Sequence, residues 1–444
     1  MSIAINPSGS GKEIAPDYLG LSFEMQRVLP DTNGIHFFRP GNHRLIATFK
    51  ILGVKSLRIG GNTADRLTLP IPGKADVDSL FAFARAADVK VIYTLRLNHG
   101  DPSADAEMAR YISRHYGNQL ACFAIGNEPN VYFTNFTTYF NSWKQFEPFI
   151  VSNVPAVKFS GPGVSPGHQS WSEQFAVGLA QSGVVKIVTQ HDYPGGDARK
   201  VKDPAAARDK ILSPDIDEHY LKFAGDFVPA ILSNGLPYRL EEANSFYDGG
   251  AKDVSDTFAS SLWALDFLWW WAEDGCSGVN FHTGDTVAAR DENAPCRYAT
   301  FWTSPAGYNI HPIGYAEKLF SLGARGHLVP ATVTNTNNVN LAVYAARSGR
   351  KLDVTLINRE HGTNGLAPQI TLDPGFDKSH ARIIFLTMPG GDVSAKTGMT
   401  LGGADITDNA RWKGKWTRLT GSSDGRYPLP LPAATAAVVE FTAD

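Results

Sequence analysis

The chain has 444 residues, 43% of them hydrophobic, which is enough to bury a large core and a second, smaller one. Its formal net charge of −3 argues against a protein that coats nucleic acid, because such a protein needs a broad basic surface. Its 3 cysteines lack C-x-x-C spacing, which argues against a disulfide framework and a structural zinc site.

The predicted elements begin with a strand at residues 2–5, where apolar residues alternate. From Tyr18 onward, short apolar runs alternate with amphipathic segments, as in repeated βα units around a parallel sheet. Eight strands are predicted in this region, at residues 19–23, 54–59, 89–95, 120–125, 157–161, 185–190, 238–241 and 278–282. Since eight strands with crossovers close a barrel, the sequence predicts the α/β class and a (β/α)8 TIM barrel.

The pattern changes after about residue 322, where predicted strands follow one another without helices between them. These strands lie at residues 339–344, 352–357, 370–372, 383–388 and 437–441, with turns rich in Gly, Asp, Asn and Pro. They predict a C-terminal antiparallel β-sandwich, which the strand at residues 2–5 would join. The predicted boundaries are therefore 1–12 for the N-terminal strand, 13–323 for the barrel and 324–444 for the sandwich.

No apolar run approaches the length of a membrane span, because the apolar cluster at residues 267–271 is soon followed by Glu273 and Asp274. The first residues, 1–4, lack the charged and apolar regions of a secretory leader. We therefore expect no membrane contact, and a monomer. If a leader has been removed, the protein is secreted or periplasmic; otherwise it is cytoplasmic.

Polar residues stand at the C-terminal ends of the predicted barrel strands, which is where barrel enzymes carry their chemistry. In chain order these residues are Ser22, Glu24, Arg58, Asn62, Asn98, Asn127, Glu128, His191, Asp192, Tyr193, Glu241, Glu242, Asn244 and His282. Any one of them is explained as an ordinary polar loop residue. A ring of them indicates a binding or catalytic site.

Glu128 ends the fourth predicted strand, where Gly126 lets the backbone bend and Pro129 prevents further strand pairing. A second carboxylate at another strand end would complete an acid and nucleophile pair for a glycosidic bond. Glu241 and Glu242 end the seventh strand; alternation along a strand points only one of them into the barrel mouth, and the other becomes a flanking ion-pair group. Periodicity does not choose between them. Carboxyl groups about 5 Å apart give retention, and a gap of roughly 6.5–9.5 Å gives inversion.

The residues 126–130 (GNEPN) resemble the acid/base segment of the retaining (β/α)8 glycosidases whose catalytic residues lie on strands four and seven. More narrowly, the chain resembles glycoside hydrolase family 79, the heparanases and β-glucuronidases. The narrower segments are 57–62 (LRIGGN), 191–193 (HDY), 242–250 (EANSFYDGG) and 255–258 (SDTF). The resemblance covers the barrel and, more loosely, the sandwich. It implies that Glu128 is the acid/base and that Glu242, which precedes Tyr247 by 5 residues, is the nucleophile.

The resemblance also implies roles beside the two carboxylates. Asn127 would hydrogen-bond the sugar hydroxyl next to the reacting carbon, although it could instead cap the turn. Tyr193 would orient the nucleophile by hydrogen bonding, the alternative being a buried tyrosine bonded to the backbone. Arg58 carries a charge that is seldom buried alone, so we expect it to clamp Glu242 or Glu128 from below.

A glucuronate carboxylate must be paired with donors when it leaves water. Tyr247 and the backbone N–H groups of Gly249 and Gly250 suit this task, and the family uses such a turn for the uronate; a plain β-turn is the alternative. Tyr298 would supply a second phenol beside the Tyr247 turn. Ring hydroxyls would be bound by Glu24 and Asn62, and His282 would join them unless it is an ordinary core histidine. Because retaining hydrolysis needs no metal, we predict no metal and no cofactor.

The loop after strand six carries a local excess of basic residues, among them Arg199 and Lys200. Such a loop could hold sulfates or uronates beside the cleaved bond, which favours a heparanase-like endo-β-glucuronidase acting on heparan sulfate or a related glucuronate-containing polysaccharide. A solvated helix face explains the same residues. The alternatives are an exo-β-glucuronidase, a neutral-sugar glycosidase of the same clan, and a non-catalytic glycan-binding protein.

Overall fold

The computed structural model describes residues 1–287, 291–336, 338–376 and 379–443. A first strand, β1 (Ser2–Ile5), precedes a closed parallel barrel of eight strands, β2 to β9 in sequence order. The barrel strands are β2 (Leu19–Glu24), β3 (Ser56–Gly60), β4 (Lys90–Leu95), β5 (Leu120–Ile125), β6 (Phe159–Val164), β7 (Val185–Asp192), β8 (Tyr238–Ala243) and β9 (Val279–His282). The predicted strands one to eight are therefore β2 to β9, and the TIM-barrel prediction is confirmed.

Helices follow the barrel strands, and the last of these helices comes after the final barrel strand and the two hairpins that follow it. They are α1 (His43–Leu52), α2 (Lys74–Ala87), α3 (Pro102–Tyr116), α4 (Phe136–Asn153), α5 (Gln169–Leu179), α6 (Pro204–Leu212), α7 (Asp215–Gly225), α8 (Val228–Ser233), α9 (Phe258–Asp274) and α10 (Pro312–Gly323). Most of α9 is buried, since its apolar residues surround the helix on every side. Trp269 on α9 stacks on Tyr344 of the C-terminal domain, with ring centroids 5.5 Å apart, and so joins the two parts of the molecule.

Short strands follow the last barrel strand and form two hairpins near the barrel mouth. They are β10 (Thr286–Val287) with β11 (Asp291–Pro295), and β12 (Phe301–Ser304) with β13 (Gly307–Ile310). The β12–β13 hairpin packs against the barrel through Phe301, whose ring lies 6.3 Å from that of Phe23. The β12–β13 hairpin is therefore a wall beside the barrel strands.

The C-terminal domain contains two sheets. One has the order β15 (Ala331–Thr334), β1, β18 (Gln369–Asp373), β22 (Tyr427–Pro430). The other is built from β14 (His327–Leu328), β16 (Leu341–Ser348), β17 (Lys351–Asn358), β23 (Thr435–Ala443), β19 (Ser379–Thr387) and β20 (Thr400–Leu401), with β21 (Thr417–Leu419) on β19. Their pairs are antiparallel except β1 with β18, which is parallel. The antiparallel domain predicted from the strand pattern is confirmed, and β1 is part of it.

Apolar side chains from both sheets form the core of this domain. Ile3, Val354, Leu372 and Phe441 are completely buried in one cluster. The barrel has its own, larger cluster, which extends through α9 and α10. Two cores in one chain agree with the length and the hydrophobic content of the sequence.

Among the described residues, no helix is long and apolar enough to cross a membrane.

Candidate active site

A cavity of about 700 Å³ opens at the C-terminal ends of the barrel strands. Glu128 and Glu242 both line it. The other predicted site residues that line it are Glu24, Asn62, Asn127, Tyr193, Tyr247, Gly249, His282 and Tyr298. Three predicted residues, Gly250, Arg199 and Lys200, do not line this cavity.

The backbone at Glu128 is held in a left-handed conformation, with φ 42° and ψ 56°. Its N–H donates to the carbonyl of Gly163 at 3.0 Å, and its own carbonyl accepts from Val131 at 2.9 Å. Gly126, with φ 84°, turns the chain out of β5, and Pro129 starts a short 3-10 helix. A non-glycine residue with positive φ stores backbone strain, and such residues concentrate at functional sites. The surrounding bonds thus aim the Glu128 side chain into the cavity.

Glu242 is held from two sides by hydrogen-bond donors. Arg58 Nη1 donates to Oε2 at 2.7 Å, and the Tyr193 hydroxyl donates to Oε1 at 2.8 Å. Burial raises the pKa of Glu242, but the charges of His282, His191 and Arg58 and the Tyr193 hydrogen bond outweigh burial and lower this pKa far below its ordinary value. Glu242 is therefore a carboxylate anion at neutral pH, which is the state that a nucleophile requires.

The two predicted catalytic carboxylates lie close together. One oxygen of Glu128, one oxygen of Glu242 and one ring nitrogen of His191 all lie within 4.8 Å of one another. Carboxyl groups of retaining glycosidases are about 5 Å apart, whereas those of inverting enzymes are roughly 6.5–9.5 Å apart to admit a water. Single oxygens of Glu128 and Glu242 thus approach each other to no more than the shorter of these two spacings.

Arg58 is completely buried and ties three strands together. Besides Glu242 it contacts Asn127, whose Oδ1 accepts from Nη2 at 2.6 Å, and Ser22, whose Oγ accepts from Nη1 at 3.1 Å. The sequence suggested a clamp beneath Glu242 or Glu128; in the structure the guanidinium reaches Glu242 and Asn127. The oxygen of the Asn127 amide is bonded to Arg58, and its NH₂ group donates to Asn62 Oδ1 at 3.5 Å at the cavity wall.

His191 is a site residue that the sequence reasoning left without a role. It is completely buried, and its Nδ1 lies 2.9 Å from Glu128 Oε1, while its Nε2 lies 3.9 Å from Glu241 Oε1. Burial lowers the pKa of His191, but the charge of Glu242 and contacts with Glu128 and Glu241 raise it to about 9. The sequence does contain a signal for His191. Residues two apart share one face of a strand, so His191 is expected on the same face as the predicted site residue Tyr193.

Glu241 lies inside the barrel but deeper than Glu242. Its Oε1 accepts from the Thr189 hydroxyl at 3.0 Å and its Oε2 from the Ser160 hydroxyl at 3.3 Å. Burial raises the pKa of Glu241, but His191 and Arg58 outweigh burial and lower it. Pairing of β8 with β9 shifts register between Leu240 and Ala243, so strict alternation does not hold across the two glutamates. Only Glu242 reaches the cavity.

Glu24 and His282 form a second pair beside Glu242. Glu24 Oε2 accepts from the Thr63 N–H at 2.8 Å and from the Thr63 hydroxyl at 2.6 Å. His282 Nε2 lies 3.6 Å from Glu24 Oε1, and its Nδ1 lies 3.7 Å from Glu242 Oε2. Burial lowers the pKa of His282, but the charges of Glu242 and Glu24 raise it overall. His282 is therefore part of the charge network of the site.

Asp65 is another residue without a role in the sequence reasoning. Its Oδ2 accepts from the Asn127 N–H at 2.7 Å and from the Tyr132 hydroxyl at 2.9 Å. Its Oδ1 accepts from the N–H groups of Leu97 and Asn98 at 2.8 and 2.9 Å. Asp65 thus fixes the segments after β4 and β5 relative to each other. No local sequence pattern distinguishes such a residue from a loop aspartate.

The turn after β8 has three consecutive residues with positive φ: Asp248 at 68°, Gly249 at 85° and Gly250 at 88°. Tyr247 precedes them, is 37% exposed, and lies edge-on to Tyr193 with centroids 6.3 Å apart. A Cβ on Gly250 would lie 2.8 Å from the backbone nitrogen of Tyr298, so Gly250 packs against the loop after β9 behind the cavity wall. Tyr247 and Gly249 remain the members of this turn at the cavity.

The basic loop after β7 contacts acidic neighbours. Arg199 donates to both oxygens of Asp197 at 2.7 Å and lies 3.2 Å from Asp248 Oδ2. Lys200 ends the same short 3-10 helix, Ala198–Lys200. The predicted polyanion contacts are thus outside the cavity, and the Arg199 charge is offset. The arginines that do line the cavity are Arg27 and Arg66, which the sequence reasoning did not select.

A group that could ligate a metal exists at Glu128, His191 and Glu242. Its members are already engaged, since His191 contacts Glu128, and Glu242 contacts Tyr193 and the cationic Arg58. A fixed guanidinium at 2.7 Å from Glu242 disfavours a divalent cation at the same carboxylate. This donor set fits proton transfer and nucleophilic attack better than metal binding.

No family model matches the chain. It is 23% identical to a β-glucuronidase of Neurospora crassa over 371 residues, which are 72% of this chain and 64% of the relative. It is also 25% identical to a β-glucuronidase of Aspergillus niger over 193 residues, which are 38% of this chain and 35% of the relative. The chain spans less than two thirds of the length of these curated relatives.

Solved structures with the same fold cover nearly the whole chain. A 4-O-α-L-rhamnosyl-β-D-glucuronidase from Fusarium oxysporum has a TM-score of 0.77 at 19% identity, with 99% of this chain and 100% of that chain covered. A family 51 α-L-arabinofuranosidase from Bifidobacterium longum has a TM-score of 0.71 at 14% identity, with 99% of each chain covered. At these identities the likeness shows the fold, which enzymes with different named sugars share.

Proposed function

We propose that the chain is a retaining glycoside hydrolase, with Glu242 as nucleophile and Glu128 as acid/base. The observation that carries this proposal is the approach of the two carboxylates to within 4.8 Å in one cavity. The particular activity that we propose is hydrolysis of β-D-glucuronic acid linkages. The names of the two curated relatives and of the Fusarium structure support it.

In the first step, the Glu242 anion attacks the anomeric carbon while Glu128 donates a proton to the departing glycosidic oxygen. A glycosyl ester forms on Glu242. In the second step, Glu128 takes a proton from water, the water oxygen attacks the same carbon, and Glu242 leaves as a carboxylate. Two inversions at one carbon give net retention.

The residues around the carboxylates have consistent roles in these steps. Arg58 and Tyr193 hold the nucleophile in place and stabilise its anion when the ester breaks. The charged His191 donates from Nδ1 to Glu128 Oε1 at 2.9 Å, and through this hydrogen bond it supplies the proton that Glu128 gives to the leaving oxygen. His191 is then neutral until the proton taken from water in the second step restores its charge. The Asn127 NH₂ group faces the sugar hydroxyl next to the reacting carbon.

For the uronate group we propose Tyr247 and the Gly249 backbone as donors. Arg27 adds a guanidinium to the same cavity, where its Nη2 already lies 2.9 Å from Asp285 Oδ2. A phenol and a guanidinium at the cavity wall suit a carboxylate-bearing sugar better than a neutral one. This distinguishes the proposal from a neutral-sugar glycosidase with the same fold.

The sequence favoured endo cleavage of heparan sulfate because of Arg199 and Lys200. Arg199 is paired with Asp197 and Asp248, and neither basic residue lines the cavity. We therefore propose the β-glucuronide linkage as the target without a requirement for sulfate. The double variant Arg199→Ala with Lys200→Ala should cleave heparan sulfate no less well than the parent; a loss confined to the sulfated polymer would restore the heparanase-like reading.

The direct test is release of nitrophenol from its β-glucuronide and its β-xyloside. The proposal predicts turnover of the glucuronide in preference to the xyloside, and none by Glu242→Gln. Glu241→Gln is the informative comparison, because Glu241 neighbours Glu242 in sequence but lies outside the cavity. Binding of glucuronides without turnover in the parent protein would favour a glycan-binding module instead.

A further inference from the structure

The C-terminal domain carries a run of basic and aromatic residues, 411–418 (RWKGKWTR), which we call the basic strip. All of its cations are exposed to solvent: Arg411, Lys413, Lys415 and Arg418. Residues 409–423, which include the strip, contain no aspartate or glutamate. In a chain with a formal net charge of −3, the strip is therefore a local concentration of positive charge.

Backbone contacts hold the basic strip in an extended form beside the larger sheet. The Lys415 N–H donates to the Gly402 carbonyl at 2.9 Å, and the strip runs into β21, which pairs with β19. Exposure alternates along it, since Trp412, Gly414 and Trp416 are half-buried between the exposed cations. Side chains two residues apart share one side of an extended segment, so the cations form a row.

The chain does not neutralise these charges itself. Among the described residues, no carboxylate lies within ion-pair distance of any cation of the basic strip. Arg418 lies directly opposite Arg382 in the pairing of β21 with β19, and like charges in such a position destabilise a sheet. Arg382 has a carboxylate partner, Glu440 at 2.8 Å, whereas Arg418 would gain one from a ligand. The cations of the strip are thus available to an external anion.

One end of the basic strip borders a hollow of about 600 Å³. Arg411 and Lys413 line it from the C-terminal domain, and Arg44 lines it from α1 of the barrel. The volume lies within the range typical of sites for small ligands, roughly 300–1,000 Å³. Three cations therefore converge on a space that can hold part of a polymer chain.

The hollow also contains two carboxylates, Asp405 and Asp408. Asp408 is engaged within the chain, because its oxygens accept from the Ser304 hydroxyl at 2.6 Å and the Asn309 side-chain amide at 3.2 Å. These contacts fix the β12–β13 hairpin to the C-terminal domain beside the hollow. With three cations and two carboxylates, the lining keeps a net positive charge and complements an anionic ligand.

The tryptophans of the basic strip favour a polysaccharide over a nucleic acid. Proteins that hold single-stranded nucleic acid stack its bases on open aromatic faces. Here the Lys318 ammonium lies over the Trp412 ring at 5.1 Å from the centroid, and the Trp412 indole N–H donates to the Leu401 carbonyl at 2.9 Å. The Arg382 guanidinium lies over the Trp416 ring at 4.6 Å. The indoles are thus fixed to the domain surface, and the strip offers a ligand mainly charge.

We propose that the basic strip and its hollow form a docking surface for an acidic polysaccharide whose uronate carboxylates pair with the row of cations. The choice of polymer rests on the proposed function. The surface goes beyond that function, because the strip, all of which the structure describes, lies outside the lining of the catalytic cavity. A polymer bound here is held on the C-terminal domain as well as at the barrel, whereas a small glucuronide reaches the cavity without touching the strip.

The test measures binding of hyaluronan, an unsulfated polymer of alternating glucuronate and N-acetylglucosamine, by isothermal titration calorimetry. It uses the full chain with Glu242→Gln, so that the polymer is not cut during the measurement. Adding Lys413→Gln and Lys415→Gln should raise the Kd about fivefold at low ionic strength, as the loss of two exposed charge pairs gives. The matched control, Lys50→Gln with Lys222→Gln, removes the same charge from exposed lysines on α1 and α7 and should leave the Kd within about twofold.

No hyaluronan binding, an unchanged Kd in the strip variant, or an equal rise in the control variant would overturn the docking surface. Equal affinity for dextran, a neutral polymer, would also overturn it, since the cations would then play no part. Single-stranded DNA bound more tightly than hyaluronan through the same two lysines would assign the strip to nucleic acid instead. Turnover of nitrophenyl β-glucuronide by the parent chain is measured separately, so its absence refutes the proposed function and leaves the binding result standing. An unchanged midpoint of urea unfolding shows that the strip variant is folded.

Discussion

His191 lies between three carboxylates, and replacing it makes the charge network of the site measurable. In His191→Asn an uncharged amide takes the place of the imidazole that contacts Glu128 at 2.9 Å and lies 3.9 Å from both Glu241 and Glu242. The substitution is similar in shape and keeps a donor toward Glu128. It removes the cation while the surrounding carboxylates stay.

The size of the effect follows from the pKa of His191. Contacts in the folded state raise this pKa from its ordinary value of 6.5 to about 9. A change of that size stabilises the charged imidazole by roughly 3 kcal/mol relative to the unfolded chain. Because the folded-state pKa is the higher one, this stability is fully present below pH 6.5 and is lost as the pH rises through about 9.

The assay is urea unfolding, followed by tryptophan fluorescence, at pH values from below 6.5 to above 9. The free energy of unfolding of the parent should decrease across this window by roughly 3 kcal/mol more than that of His191→Asn. The raised pKa of His282 contributes in the same direction to both proteins and cancels in the difference. His115→Asn, an exposed histidine on α3, is the control and should follow the parent. Parallel profiles for parent and His191→Asn would refute the charged histidine.

Four further outcomes are expected. Glu128→Ala should reduce hydrolysis of glucuronides with poor leaving groups far more than that of activated aryl glucuronides, and equal losses would remove Glu128 from the acid role. Arg58→Met should lower the free energy of unfolding by roughly 3–5 kcal/mol, because it leaves Glu242 buried without its cation. Since Arg58 lowers the pKa of Glu242, the same variant should lose kcat/KM at a higher pH on the acidic side of the profile, and an unchanged acidic side in a folded variant would contradict this. Tyr193→Phe should cost about 1.5–3 kcal/mol of transition-state stabilisation, measured as a loss of kcat, and parent-like kcat would show that the hydroxyl is idle. In the parent, kcat/KM should fall as the pH rises through about 9, when His191 loses its proton and no longer supplies Glu128; a fall near neutrality would oppose this role of His191.

The fold was predictable because its signals are local. Strand β5 was placed at residues 120–125 and is found at Leu120–Ile125, since an apolar run ends there at a glycine and a proline. Strand β6 was predicted to end at residue 161 but continues through Pro162 to Val164. The short edge strands Ala331–Thr334 and Tyr427–Pro430 were missed, because one is half exposed and the other contains two prolines. Strand pairing with distant partners overrides weak local propensity in such segments.

The site was predictable where it coincides with strand ends and with a family resemblance. Glu128 and Glu242 were selected in this way, and both are at the cavity. His191 was noted at a strand end but was given no role, and Asp65 was not selected, because their importance lies in contacts with residues 63 and 62 positions away in the chain. Arg199 and Lys200 were selected on charge alone, and charge does not tell which way a loop faces. Three-dimensional proximity supplied what sequence spacing could not.

The central claim is that Glu242 and Glu128 carry out a double displacement. It is tested most directly by proton NMR of the first product released from an aryl β-glucuronide, recorded before the free sugar equilibrates. The account predicts that the β anomer of glucuronic acid appears first. Initial appearance of the α anomer would contradict it, since that outcome requires direct attack by water.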